Sequence, residues 1–180
     1  MALTDVRTQP DRIARLARWR VPLGFATAVA ALVLARPTWA SWSVGLAVAV
    51  VGAAIRVWAA GHIEKSREVT TSGPYRWTRH PLYVGSIVLA LGIVVASRSA
   101  PLAVLTCLYL VSTLWAAIRT EEAFLRRTFG PAYDAYSRAE EAPSRRRFSL
   151  DRAWRNREYR AVAGVAIGFL LLAMRVRLPI

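Results

Sequence analysis

Hydrophobic and polar positions divide the chain into five apolar blocks, at 21–35, 39–61, 82–97, 100–118 and 161–174, set between short breaks or longer basic segments. The blocks are continuous, without the alternation of a half-buried strand, so they predict helices. A spanning helix needs about 20 apolar residues; the second and fourth blocks supply them and the others fall short. Short blocks still span when flanking Arg and Trp side chains snorkel to the interface. The first block has basic residues ahead of it, but no small-residue cleavage site separates it from the second, so it reads as a helix and not a removable signal. Arg36-Pro37 and the stretch from Arg98 to Pro101 mark tight turns. The pattern predicts an all-α, multi-pass transmembrane helical bundle of about five helices, two hairpins and a last helix, in a single domain over 1–180.

Composition sharpens this. Of 180 residues 55% are hydrophobic, the net charge is +14, and the basic excess is almost wholly arginine. Such a charge could serve nucleic acid, but these arginines lie between apolar blocks, where juxtamembrane charge sets topology. The tail at 1–20 carries five arginines and the segment 119–160 carries eleven, whereas the two tight turns carry one each, Arg36 and Arg98. By the positive-inside rule the tail, the central loop with Arg67, Arg76 and Arg79, and the basic segment are cytoplasmic in a plasma or inner membrane. The lone Cys107 lies in an apolar run and permits no intrachain disulfide.

The central loop ends in the sequence SGPYRWTRHPLYVG, residues 72–85. Gly73-Pro74 reads as a turn, and Pro81 sits where a helix begins. Arg79 and His80 then stand at that helix's N-terminal mouth, where free N–H groups and the dipole favour an anion. Tyr83 lies one turn further in, and Gly85 would let a ligand lie close to the backbone. The residues from Ala100 to Phe129 can form one helix of about 45 Å, closed by Gly130-Pro131. It would carry Glu121 and Glu122 just below the membrane on the side of Arg79. Glu122 can pair with Arg126 at i, i+4; Glu121 points roughly 100° around the helix and is left over. Arg56, inside an apolar block, either snorkels or turns inward to Glu121, Glu122 or an acidic group of a ligand. His62 is given no role, and Arg145-Arg146-Arg147 reads as an anchor for anionic lipid.

In this order RHPLYVG, a helical hairpin, EE and FGPAYDAY resemble the isoprenylcysteine carboxyl methyltransferase and phospholipid methyltransferase group of integral-membrane enzymes, over a core region at 56–136. The upstream RVWAAG and TTSGPYRWTRHP fit as well. The resemblance implies S-adenosylmethionine as cofactor, no metal, and a lipophilic acceptor arriving from the bilayer at the cytoplasmic face. It places Arg79, His80, Pro81, Tyr83, Gly85 and Tyr75 on one side of the cofactor site and Glu121 and Glu122 on the other. Arg79 and Glu121 are the expected catalytic pair, Arg79 gripping a carboxylate and Glu121 the cofactor's ammonium or ribose.

The chain departs from the eukaryotic enzymes where an acceptor would be shaped: fewer membrane helices, a short central loop, and a basic segment at 137–160 ahead of the last helix and tail at 161–180. The arginine-rich mouth favours a carboxylate acceptor of the isoprenylcysteine kind. A phospholipid or amine N-methyltransferase, an NADPH-dependent sterol-type reductase and a membrane scaffold without turnover are the alternatives. Adjacent glutamates suit a diphosphate cofactor poorly.

Overall fold

The computed structural model describes residues 22–24, 26–64, 67–140, 142 and 144–178; the basic tail at 1–20 lies outside them. A short apolar helix α1 covers Pro22–Leu34. Thr38 then caps α2 (Trp39–Ala60): its hydroxyl accepts from Ser41 N, and the Ser41 hydroxyl accepts from Thr38 N at 3.0 Å. After the central loop and a 3₁₀ turn over Gly73–Arg76, helix α3 (Pro81–Ser97) starts with proline at its first position and stops at Arg98, whose φ of 50° is left-handed. Ser99 caps α4 (Ala100–Phe129), a single 30-residue helix that ends at Gly130, φ 49°. Two short helices, α5 (Pro131–Ser137) and α6 (Leu150–Arg155), precede α7 (Tyr159–Arg177). The described residues are thus all-helical, as the block pattern predicts.

Helices α2, α4 and α7 are long and apolar enough to cross a membrane, and α1 and α3 are shorter apolar helices. Their outward faces carry large apolar side chains, among them Val50, Leu108, Val111, Ile167 and Leu170, each more than half exposed. Water would penalise so much exposed apolar surface, whereas lipid accepts it. The chain is a membrane protein.

Because lipid tails are as apolar as leucine, helices in a bilayer are held by close packing of small residues. Here Gly45, Ala49 and Gly52 of α2 meet Gly85, Gly92 and Ala96 of α3, so tightly that a Cβ on Gly52 would collide with the backbone of Gly85 and Leu89. At the far end Arg36 N donates to Ser97 O at 2.8 Å and Ser41 Oγ to Ala96 O at 3.1 Å, which joins the two tight turns. Helix α7 is fixed to the same pair by Trp42 Nε1, which donates to Phe169 O at 2.8 Å. Both turns lie at one end of the bundle, and the mouth of α3 lies at the other.

Candidate active site

At that other end the two motif segments meet. No side chain caps the first turn of α3, where His80 occupies the N-cap, and α4 brings its acidic pair there. The Tyr83 hydroxyl donates to Glu121 Oε2 at 2.8 Å. His80 Nε2 lies 3.3 Å from Glu122 Oε1, and an Arg79 guanidinium nitrogen lies 3.5 Å from the same oxygen. The His80 ring stacks on Tyr83 at 5.6 Å, and its Nδ1 is 3.9 Å from Glu121 Oε2. The anion drawn to the α3 mouth is therefore the protein's own carboxylate pair. The local Glu122–Arg126 pair expected along α4 does not form; Arg126 contacts Asp134 at 3.5 Å on the surface. Glu122 finds two cationic or polar partners on α3 and leaves its helical neighbour.

Arg56 does turn inward, but to Glu158, a residue without an assigned role in the sequence reading, and to neither Glu121 nor Glu122. Its Nε and one terminal nitrogen bind the two carboxylate oxygens at 3.1 and 3.0 Å, and the other terminal nitrogen donates to Ser86 Oγ at 2.5 Å and Leu82 O at 3.3 Å. A charge at this depth needs a partner, and the fork geometry supplies a bidentate one. Gly85 explains the route. Its missing side chain leaves space for the Arg56 stem and the Gly52 backbone. Gly85, expected in a cofactor wall, stands at the α2/α3 contact, and Pro81, four residues earlier, lines the cavity described below.

The central loop is clasped by the segment after α5. Ser149 N donates to Gly61 O at 3.1 Å, Ser144 N to Thr71 Oγ1 at 2.9 Å, and Arg152 Nε to Glu64 Oε1 at 2.8 Å. Arg146, expected to serve anionic lipid, pairs with Glu68 instead, while Arg145 and Arg147 stay exposed. His62 proves to be the pin of this assembly. It is buried, its Nδ1 lies 3.0 Å from Ser72 Oγ, and its ring fills the space where a Cβ on Gly73, φ 57°, would be. Burial first, then Arg152 and Arg146, hold its pKa below the ordinary imidazole value.

Between α1, α3, α4 and α7 runs a cavity of about 1430 Å³. Arg79, His80, Tyr83, Tyr75 and Glu121 line its polar end, and α4 carries its wall on through Thr113 and Tyr109 to Leu102. From Glu121 to Leu102 the helix rises about 28 Å, close to the thickness of a hydrocarbon core. Pockets for one drug-sized ligand span about 300–1,000 Å³, so this one has room for more than a single small molecule. Among the described residues four buried side-chain polar atoms lack a hydrogen-bond partner, namely Thr70 Oγ1, Tyr75 OH, His80 Nδ1 and Tyr133 OH. All four residues line this cavity. Buried polar groups are almost always paired, so four such atoms around one space set this cavity apart. Burial raises the pKa of the Tyr75 and Tyr133 hydroxyls above the ordinary phenol value, with nearby carboxylates adding to the effect. The sequence assigns no role to Thr70 or Tyr133 by name, although each lies in a motif: Thr70 opens TTSGPYRWTRHP and Tyr133 falls in FGPAYDAY.

The family described as phospholipid methyltransferase matches residues 25–132. The nickel-cobalt-cadmium resistance protein NccN of Alcaligenes xylosoxydans xylosoxydans is 40% identical over 96 residues, covering 52% of this chain and 43% of that protein. The cobalt-zinc-cadmium resistance protein CzcN of Cupriavidus metallidurans is 32% identical over 136 residues, covering 69% of this chain and 60% of that protein. The chain spans about half the length of the curated relatives it matches. No solved structure matches it.

Proposed function

The chain belongs to the phospholipid methyltransferase family, and from that premise we propose that it transfers a methyl group from S-adenosylmethionine to a small lipophilic acceptor at the cytoplasmic face of the membrane. One observation carries this reading: the α3 mouth meets the α4 acidic pair, and Arg79, His80, Tyr83 and Glu121 from that junction line the polar end of a cavity that continues as an apolar cleft. The cytoplasmic side rests on the arginine distribution.

The residues present fit the cofactor. Glu121, which lines the cavity, offers a carboxylate to an ammonium or to ribose hydroxyls, Glu122 stands beside it against His80 and Arg79, and the buried His80 Nδ1 and Tyr133 OH have no hydrogen-bond partner. Arg79 is 45% exposed and has donors beyond its single contact to Glu122, enough to grip a carboxylate of the cofactor or the substrate. S-Adenosylmethionine brings its own activation when bound, since the methyl to be transferred sits on a sulfonium. The protein's part is placement and dryness. Tyr83 fixes Glu121, and His80 with Arg79 fixes Glu122, so both carboxylates are oriented before a ligand arrives. The apolar cleft excludes water and admits an acyl or prenyl chain, each CH₂ contributing about 0.8 kcal/mol.

The carboxylate acceptor of the isoprenylcysteine kind was expected from surplus positive charge at the mouth. Arg79 faces Glu122 and Arg56 faces Glu158, which lowers that surplus without cancelling it. The test is an assay of purified protein in lipid with methyl-labelled S-adenosylmethionine and, in turn, prenylcysteine analogues, fatty acids and phosphatidylethanolamine. Label in a lipid product that disappears in Glu121→Gln supports the reading, base-labile label marking an ester and base-stable label an amine. Label in no lipid, together with no binding of S-adenosylhomocysteine, would overturn it.

A further inference from the structure

The cavity has a second polar pole, on the side of α7. Arg56, Ser86, Glu158 and Tyr75 all line it, and only Glu158, 6% exposed, comes from the last membrane helix. Glu158 also lies outside the span matched by the family, residues 25–132. Tyr75, 6% exposed and with an unpartnered hydroxyl, interacts with the charges of both Glu121 and Glu158 and so stands between the two poles.

We propose that Arg56, Glu158 and Tyr75 form a second subsite that receives the acceptor's head group and selects one that donates hydrogen bonds, an amine or a hydroxyl, over a carboxylate. The word acceptor rests on the methyltransferase reading; the subsite itself rests on the geometry. A carboxylate has about four lone-pair sites, and Arg56 uses one on each Glu158 oxygen, which leaves acceptor capacity facing the cavity. A guanidinium has five N–H donors; four of these are directed at Glu158, Ser86 and Leu82, which leaves one. The pair therefore has more to accept than to donate. An anionic head would in addition approach two carboxylates, Glu158 here and Glu121 at the other pole, with Arg56 already held by Glu158. A neutral hydroxyl or a cationic amine meets no such repulsion, and the Tyr75 hydroxyl completes its hydrogen bonding. Glu158 is a positioned recognition group in this scheme, and Arg56 holds it in place.

The test uses the full chain in nanodiscs, dialysed to equilibrium against radiolabelled dodecylamine, dodecanol or dodecanoate, with empty nanodiscs subtracted. S-Adenosylhomocysteine binding is measured on the same samples by calorimetry. The subsite predicts saturable binding of the amine and the alcohol at about one per chain, and dodecanoate at least tenfold weaker. Tyr75→Phe lowers amine binding at least fivefold, and the neutral double variant Arg56→Gln/Glu158→Gln at least tenfold, while S-adenosylhomocysteine affinity stays within threefold in the double variant. Dodecanoate binding as tightly as dodecylamine, or amine binding unchanged in folded Tyr75→Phe, would overturn the subsite. The two readings fail separately: loss of all S-adenosylhomocysteine binding in the unaltered protein with Tyr75-dependent amine binding intact removes the cofactor and leaves the subsite standing.

Discussion

Tyr83 on α3 donates a 2.8 Å hydrogen bond to Glu121 on α4, across 38 residues of sequence. That bond joins the two halves of the motif set at one point, with His80 and Glu122 meeting beside it at 3.3 Å. The cavity's polar end is organised around this junction, and the rest of the fold keeps α3 and α4 in register to make it.

The Arg56–Glu158 pair should behave as a buried salt bridge, with side chains 21% and 7% exposed. Arg56→Met leaves an uncompensated carboxylate and should cost about 3–5 kcal/mol, whereas Arg56→Met/Glu158→Leu should recover most of that. Thermal unfolding in one detergent checks both; a double variant no more stable than Arg56→Met would contradict the account.

Gly52 has backbone of Gly85 and Leu89 where its Cβ would sit, so Gly52→Val must push α2 from α3. Overpacking of this kind costs about 1–3 kcal/mol. Gly164, with nothing within 4 Å of an added Cβ, is the control, and Gly164→Ala should unfold within a degree or two of the unaltered protein.

Much of this could be read in the sequence because the signals were local. Pro81 opens α3, Ser99 and Gly130 bracket α4, and the two tight turns fall where Arg36-Pro37 and Arg98 put them. His80, Tyr83, Glu121 and Glu122 were legible from an ordered motif on one side of the membrane, and the structure brings them together. Glu158 was not, because it stands 102 residues from Arg56 in an arginine-rich stretch where a surface pair is the ordinary expectation. A signal existed: an arginine inside an apolar block requires a carboxylate at equal depth, and Glu158 lies three residues ahead of the last block. Gly85 is ambiguous in the sequence because a glycine near a motif suits a ligand and a helix contact alike; the structure sets Gly52 and Arg56 of α2 against it.

His62 gives the fold a pH dependence. Its pKa is lowered in the fold, so the unfolded chain binds the proton more readily, and stability is lost as pH falls below the ordinary value of 6.5. Unfolding temperature should therefore drop from pH 7.5 to pH 5.5, with a smaller drop in His62→Asn, whose amide can still meet Ser72. An equal drop in both proteins would assign the dependence elsewhere.

The joined tight turns and the α3 mouth lie at opposite ends of the bundle. In a Cys107→Ser background, a cysteine at Ser99 should react with an impermeant thiol reagent from outside the cell, and one at Ser144 only after lysis. The reverse pattern would place the site outside.

The most direct test of the central claim is calorimetric titration of S-adenosylhomocysteine into purified protein. The account predicts micromolar or tighter binding, weakened at least tenfold by Glu121→Gln and by Arg79→Ala and several-fold by Tyr83→Phe, with helix content unchanged. Equal affinity in all four proteins, or no binding to the unaltered one, would contradict it.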